Sequence, residues 1–186
     1  VSTAFGDGRR VVVDETRRVL DAIDADAWDR AAARVMRARS IYVIGSGRSG
    51  LAGQMAAMRL MHLGLRVHVA GEVTAPAIGA DDLLLAVSGS GTTVEVVDAA
   101  DTARAVGASV VAITTAPESL LARRADEVLH LAGTEKQDHS GSVSRQYAGS
   151  LFEQSVLLAF DALFHALWDA TDQTAEQLWS RHANIG

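Results

Sequence analysis

Two short segments carry residues suited to chemistry: Gly45-Ser46-Gly47-Arg48-Ser49-Gly50 and Ser88-Gly89-Ser90-Gly91-Thr92-Thr93. The first spells G-x-G-x-x-G, the spacing that lets a backbone approach a dinucleotide pyrophosphate at a helix N-terminus. That ligand also needs an acidic residue about 20 positions on, at the end of the second strand. Glu72 comes close but lies past Gly71, in the following loop. A dinucleotide gives no reason for the second loop, whereas a phosphate monoester does. Ser49, Ser88, Ser90 and Thr93 would supply neutral donors to its three free oxygens, and the N–H groups of two helix starts would add more. A third reading needs no ligand: Ser and Gly are ordinary in strand-to-helix turns, and Thr92 with Glu95 spells a T-x-x-E capping box. The pattern favours the monoester and leaves the other two open.

The elements must bring these loops together. Apolar, β-branched runs at IYVI (41–44), RVHVA (66–70), LLLAVS (83–88), SVVAIT (109–114) and EVLHLA (127–132) read as five strands. Helical patterns fill 10–39 in two pieces, then 49–63, 92–106, 117–124, 150–169 and 172–182, with Pro117 tolerated in a first turn. The alternation predicts an α/β fold, a three-layer α/β/α sandwich around a five-stranded parallel sheet. In the flavodoxin-like order 2-1-3-4-5 the strand order reverses between the first and third strands. Those two strands precede the glycine-serine loops, so both loops should open on one crevice. Two further connections stand out, 71–82 and the polar 133–149, and loops as long as the second are usually functional or mobile.

A chain of 186 residues with 48% apolar and 22% charged content suits one domain over 1–186, built of N-terminal helices (1–39), sheet core (40–132), loop (133–149) and C-terminal helices (150–186). No run of 18 uninterrupted apolar residues occurs and the N-terminus lacks the order of a secretory signal, so neither membrane nor export is expected. The absence of cysteine excludes thiolate chemistry and disulfides and fits a cytoplasmic location. The net charge of −6 argues against nucleic acid as a partner.

The ordered set GSGRSG, MRLMHLG, GADDLLLAVSGSGTT, a fourth strand followed by APES, GSLFEQ and a C-terminal RHANI resembles the sugar isomerase (SIS) domain family over residues 10 to 185. The resemblance is greatest to the branch acting on 3-keto hexulose phosphates. It implies a homotetramer that isomerises D-arabino-hex-3-ulose 6-phosphate to D-fructose 6-phosphate in the ribulose monophosphate pathway, working with 3-hexulose-6-phosphate synthase. Neither metal nor organic cofactor is implied. The same match puts the phosphosugar on Gly47, Arg48, Ser49 and the Ser88, Gly89, Ser90, Gly91, Thr92, Thr93 loop, with Ser88, Ser90 and Thr93 nearest the phosphate, and makes Glu153 the proton acceptor. In QYAGSLFEQ the family pattern suggests Pro or a similar residue near Tyr147, which puts the shape of the preceding loop in question. The arabinose 5-phosphate isomerases usually have Lys in place of Arg48 and His-Gly-Asp before the third strand, where this chain has Ala77-Ile78-Gly79.

Moving a carbonyl from C3 to C2 requires taking the C2 proton, forming a cis-enediolate and returning a proton to C3. A single carboxylate can do both, with its pKa raised by partial burial. Glu153 is the candidate, although Ser150 to Glu153 also spells a capping box that would give it a merely structural task. His62 follows Ser49 by 13 residues, about 20 Å along one helix, so it would have to serve a neighbouring subunit's site or else sit as a helix-end histidine. A helix bearing Met55, Met58, Leu60 and Met61 suits such an interface. A 3-ketose phosphorylated on O6 enters open-chain, so a ring-opening acid, His62 or His182, is needed mainly in reverse. Arg48 would pair with phosphate or a sugar hydroxyl, and Arg59 reads as a structural ion-pair partner. The histidines, His68 and His139 included, lack metal-ligand spacing, and Trp28, Trp168 and Trp179 read as packing anchors. Two rivals remain, another phosphosugar isomerase and a non-catalytic module that senses a sugar phosphate.

Overall fold

The computed structural model describes residues 3–133 and 143–185. The chain runs α1 (Ala4–Asp21), α2 (Ala25–Arg37), β1 (Ile41–Gly45), α3 (Gly47–His62), β2 (Val67–Val69), β3 (Leu83–Val87), α4 (Val94–Ala105), β4 (Ser109–Thr114), β5 (Glu127–His130), α5 (Ser150–Asp169) and α6 (Ala175–Trp179). The strands pair in parallel in the order β2-β1-β3-β4-β5, the flavodoxin-like order expected. Strands buried on both faces cannot alternate apolar and polar residues, which is why LLLAV reads as a continuous apolar run and is buried throughout.

Successive residues divide the core into two layers. Ile41, Val43, Leu83, Leu85, Val87, Val111 and Ile113 face one way, onto a cluster with residues of α2, α3 and α5. Tyr42, Leu84, Ala86, Val110 and Ala112 face the other way, onto Val96, Ala100 and Ala103 of α4. Part of this second face is covered by the 71–82 connection, where the carbonyl of Ala77 accepts from the Tyr42 hydroxyl at 3.2 Å. The register places Gly45 opposite Val87, so the chain leaves β1 and β3 at the same level and the two glycine-serine loops start side by side. At the other end of these strands Arg39 donates twice to the buried carboxylate of Asp82, at 3.0 and 2.9 Å, a forked geometry that ties the two strand entries together.

Several local expectations differ from the structure. The helical pattern at 117–124 yields only a 3-10 turn at Ala122–Arg124. The N–H of Leu121, which a helix would keep within the segment, instead donates to Gly91 O at 2.9 Å and supports the second loop. The first N-terminal helix begins earlier than the pattern suggests, at the Thr3 cap, and the second starts after Asp24, whose carboxylate accepts from Asp26 N and Ala27 N. The pattern at 172–182 shortens to Ala175–Trp179, opened by a capping box between Thr174 and Gln177. Of the connection at 133–149, residues 134–142, His139 among them, lie outside the described residues.

Candidate active site

The first loop is shaped by two glycines in mutual contact. A Cβ on Gly50 would stand 2.5 Å from the carbonyl oxygen of Gly45, so the turn from β1 into α3 closes only with hydrogen at both positions. Gly47 takes φ +58, the left-handed region that suits glycine. Ser49 is then the third residue of α3, buried at the helix start where N–H groups lack intrahelical acceptors.

The second loop is braced from within. Ser88 Oγ lies 2.9 Å from Thr93 Oγ1 and accepts from Gly91 N at 3.2 Å. Ser90 Oγ accepts from the backbone and the hydroxyl of Thr92, at 3.3 and 3.1 Å. Beneath, the carbonyl of Gly89 takes hydrogen bonds from the hydroxyls of Thr114 and Thr115, at 2.9 and 2.8 Å. The expected capping box of Thr92 and Glu95 does not form. Thr93 is the N-cap of α4, with no side-chain cap bond, because its hydroxyl faces Ser88 instead. Hydroxyls that bond one another around a turn, next to the start of a helix, can exchange those bonds for the oxygens of an incoming phosphate.

Glu153 comes from a third direction, the first turn of α5. Gly149 is the N-cap there and makes no side-chain cap bond, so the capping-box role for Glu153 is not realised. Its carboxylate, 8% exposed, forms an ion pair with the guanidinium of Arg48 across from the first loop. The sequence pointed Arg48 at phosphate or sugar; its pairing with Glu153 was not legible, since the two stand 105 residues apart. A second link joins α5 to the other loop: the Phe152 ring, buried, sits beneath Gly89, where an added Cβ would lie 3.2 Å from the ring. Gly89→Ala is therefore expected to push Phe152, and Glu153 with it, at a stability cost of about 1–3 kcal/mol. A thermal melt together with steady-state kinetics checks this, and unchanged values in both would contradict the contact.

Ser49, Arg48, Ser88, Ser90 and Thr93 thus stand on the two loops that follow β1 and β3, with Glu153 paired to Arg48, whereas His62 and His182 lie elsewhere. His62 is the last residue of α3, at the far end of the helix from Ser49. It is buried, stacks on His182 with ring centroids 3.9 Å apart, and its Nδ1 has no hydrogen-bond partner among the described residues. Burial, then the neighbouring charges of His182 and Arg59, hold its pKa below the ordinary histidine value, so it is neutral at neutral pH. Arg181 fastens this corner by donating to His62 O at 2.8 Å and to Gln173 Oε1 at 2.7 Å. Arg59 lies 3.7 Å from Asp161 and over the Phe164 ring, the structural part expected of it. Trp28 packs edge-on against Phe160, but Trp179 is 71% exposed and touches His182, so it is no core anchor.

A parallel sheet with two hydroxyl-bearing loops at its switch point and a buried carboxylate paired with Arg48 of the first defines a class, and the SIS domain model matches residues 35–165. The chain belongs to the SIS domain family. It is 50% identical to the 3-hexulose-6-phosphate isomerase of Mycobacterium gastri, over 94% of this chain and 88% of that one. Identity to the 3-hexulose-6-phosphate isomerase of Bacillus subtilis is 34%, over 94% and 95% of the two chains. A Methanococcus jannaschii crystal structure, from which a 3-hexulose-6-phosphate isomerase function was inferred, superposes with a TM-score of 0.83 at 27% identity, covering 96% of this chain and 99% of that one.

Proposed function

We propose that this chain is a 3-hexulose-6-phosphate isomerase, converting D-arabino-hex-3-ulose 6-phosphate to D-fructose 6-phosphate through a cis-enediolate. The observation that carries it is the placement of Glu153, a buried carboxylate paired with Arg48 of the first loop and next in the chain to Phe152, whose ring lies against Gly89 of the second. Ser49, Ser88, Ser90 and Thr93 bind the phosphate, helped by backbone N–H groups of Gly47, Gly89, Gly91 and Thr92. Arg48, 65% exposed along its side chain, leaves Glu153 for the sugar or its phosphate when the substrate enters. The freed carboxylate takes the proton from C2, and the electron pair of that C–H bond forms the enediol double bond. The π pair of the C3 carbonyl moves onto O3, the same proton is returned to C3, and the O2–H proton passes to O3 as the O–H bonding pair closes the C2 carbonyl. A buried carboxylate paired with Arg48 of the first loop favours an enzyme over a non-catalytic sensor of sugar phosphates.

The chain is proposed to act in the cytoplasm as a homotetramer, beside a 3-hexulose-6-phosphate synthase that supplies its substrate. Leu51, Met55 and Met58 are 60%, 51% and 58% exposed and recur at helical spacing on the outer face of α3, which suits a subunit contact. This face runs from the phosphate loop toward His62 and would carry the His62–His182 corner to a neighbour. His182, exposed above buried His62, is then the group that meets the neighbour's sugar ring in the reverse direction. Mixing inactive Glu153→Gln with inactive His182→Ala protein is expected to restore fructose 6-phosphate consumption in hybrid oligomers; no recovery would count against shared sites.

The activity is tested by supplying hex-3-ulose 6-phosphate, made in place from ribulose 5-phosphate and formaldehyde by a synthase. Fructose 6-phosphate should accumulate only when this protein is added. No product with folded protein present would reject the proposal.

A further inference from the structure

A second buried carboxylate stands behind the first. Glu15, on the outer helix α1, is 5% exposed, although its position on an amphipathic helix would suit a leucine. Burying a carboxylate is unfavourable unless its oxygens are fully hydrogen-bonded. Here they are: Ser144 Oγ donates to Oε2 at 2.6 Å, Arg145 N to Oε1 at 2.9 Å, and Gln146 Nε2 to Oε2 at 3.2 Å. All three donors belong to the few residues that lead into α5. The next residue on α1 repeats the contact one step further along, since Thr16 Oγ1 lies 3.3 Å from Oε1 of Gln154, the neighbour of Glu153.

We propose that Glu15 is a positioning residue for Glu153, clamping residues 144–146 and thereby fixing where the first turn of α5 begins. Between the clamp and the helix the chain has little freedom. Gln146 N donates back to Ser144 Oγ at 2.9 Å, Ala148 takes φ +49, and Ser150 N reaches Tyr147 O at 3.2 Å. A non-glycine residue in the left-handed region persists only where its surroundings over-determine it, at an expense of about 1–3 kcal/mol. Glu153 N then bonds Gly149 O at 3.0 Å, so the backbone under the base follows directly from this turn. Burial opposes ionisation of Glu15, but the Arg145 N–H, the Ser144 hydroxyl, the Gln146 amide and the Arg18 charge outweigh it and hold its carboxyl below the usual glutamate range. The clamp is therefore a carboxylate at neutral pH, the form that accepts three hydrogen bonds. None of these contacts touches the two phosphate loops, which stand on β1 and β3. A displacement of about 1 Å at a catalytic group can lower a rate by about 10².

This inference rests on Glu153 being the base, so Glu15→Gln, Ser144→Ala and Glu153→Gln are assayed together, with kinetics expressed per folded protein from circular dichroism. Glu15→Gln is expected to lower kcat by about tenfold or more while KM stays within about twofold, because the clamp holds the segment that carries the base and makes no contact of its own with the phosphate loops. Ser144→Ala, which removes one donor of the three, should show the same split to a smaller degree and covers the case in which Glu15→Gln does not fold. A purely structural part for Glu15 would lower the melting temperature and leave kcat per folded protein unchanged. That result in either folded variant, or kcat and KM changing in parallel, would overturn the proposal. Full turnover in Glu153→Gln would overturn both this inference and the base assignment. An inactive Glu153→Gln beside a fully active Glu15→Gln would overturn the clamp alone.

Discussion

Glu153→Gln is expected to fold and melt like the parent protein and to lose about 10²- to 10⁴-fold in kcat, the range that a positioned general base contributes. Glutamine keeps the shape of the side chain and an oxygen that accepts from Arg48. It cannot take a proton from C2. The ion pair it removes involves a guanidinium that is 65% exposed, which water can solvate, and pairs open to solvent add little to stability. The phosphate would still be held by Ser49, Ser88, Ser90 and Thr93, so KM should change far less than kcat. Steady-state kinetics with a thermal melt separate these quantities. Retention of near-parental turnover would remove Glu153 from the chemistry.

Gly50→Ala should be damaging in a different way. Its Cβ would sit 2.5 Å from the Gly45 carbonyl oxygen and 2.8 Å from the carbonyl carbon, and both are backbone atoms that cannot rotate away. The turn must open, at or above the roughly 1–3 kcal/mol typical of an added group in a packed site. In a domain of this size 1 kcal/mol corresponds to about 2–4 °C in Tm. Opening the turn also displaces Ser49 and the first N–H groups of α3, so fructose 6-phosphate should bind at least tenfold more weakly, a loss of about 1.4 kcal/mol. Calorimetry and a titration with fructose 6-phosphate test both effects, and a variant with parental Tm and affinity would contradict the close approach of the two glycines.

The features that could be read from the sequence are those written in local pattern. Continuous apolar strands and the alternation of elements led to the parallel sheet, and with the flavodoxin-like order they put the glycine-serine turns after β1 and β3 side by side. The failures were of two kinds. Thr92 with Glu95 and Ser150 with Glu153 match capping boxes in spelling, but Thr92 bonds Ser90 while Thr93 takes the N-cap position, and Glu153 meets Arg48, so other partners took side chains that the capping rule had claimed. The segment at 117–124 has a helical pattern, yet the Leu121 N–H goes to Gly91. The other failures concern contacts across long separations. Glu15 and Ser144 are 129 residues apart, and nothing in either neighbourhood announces that a glutamate on the outer helix will be buried against the entry to α5. His62 was legible as too far from its own loop, but its burial under His182 was not.

The central claim is that one phosphosugar bridges both loops and presents its C2–C3 bond to Glu153. A crystal structure of the protein with fructose 6-phosphate tests it most directly. The account predicts phosphate density enclosed by Ser49, Ser88, Ser90 and Thr93, Arg48 turned from Glu153 to the ligand, and the Glu153 carboxylate within hydrogen-bond reach of C2 and C3. A phosphate bound outside these two loops, or a sugar whose C2 and C3 lie away from Glu153, would contradict it.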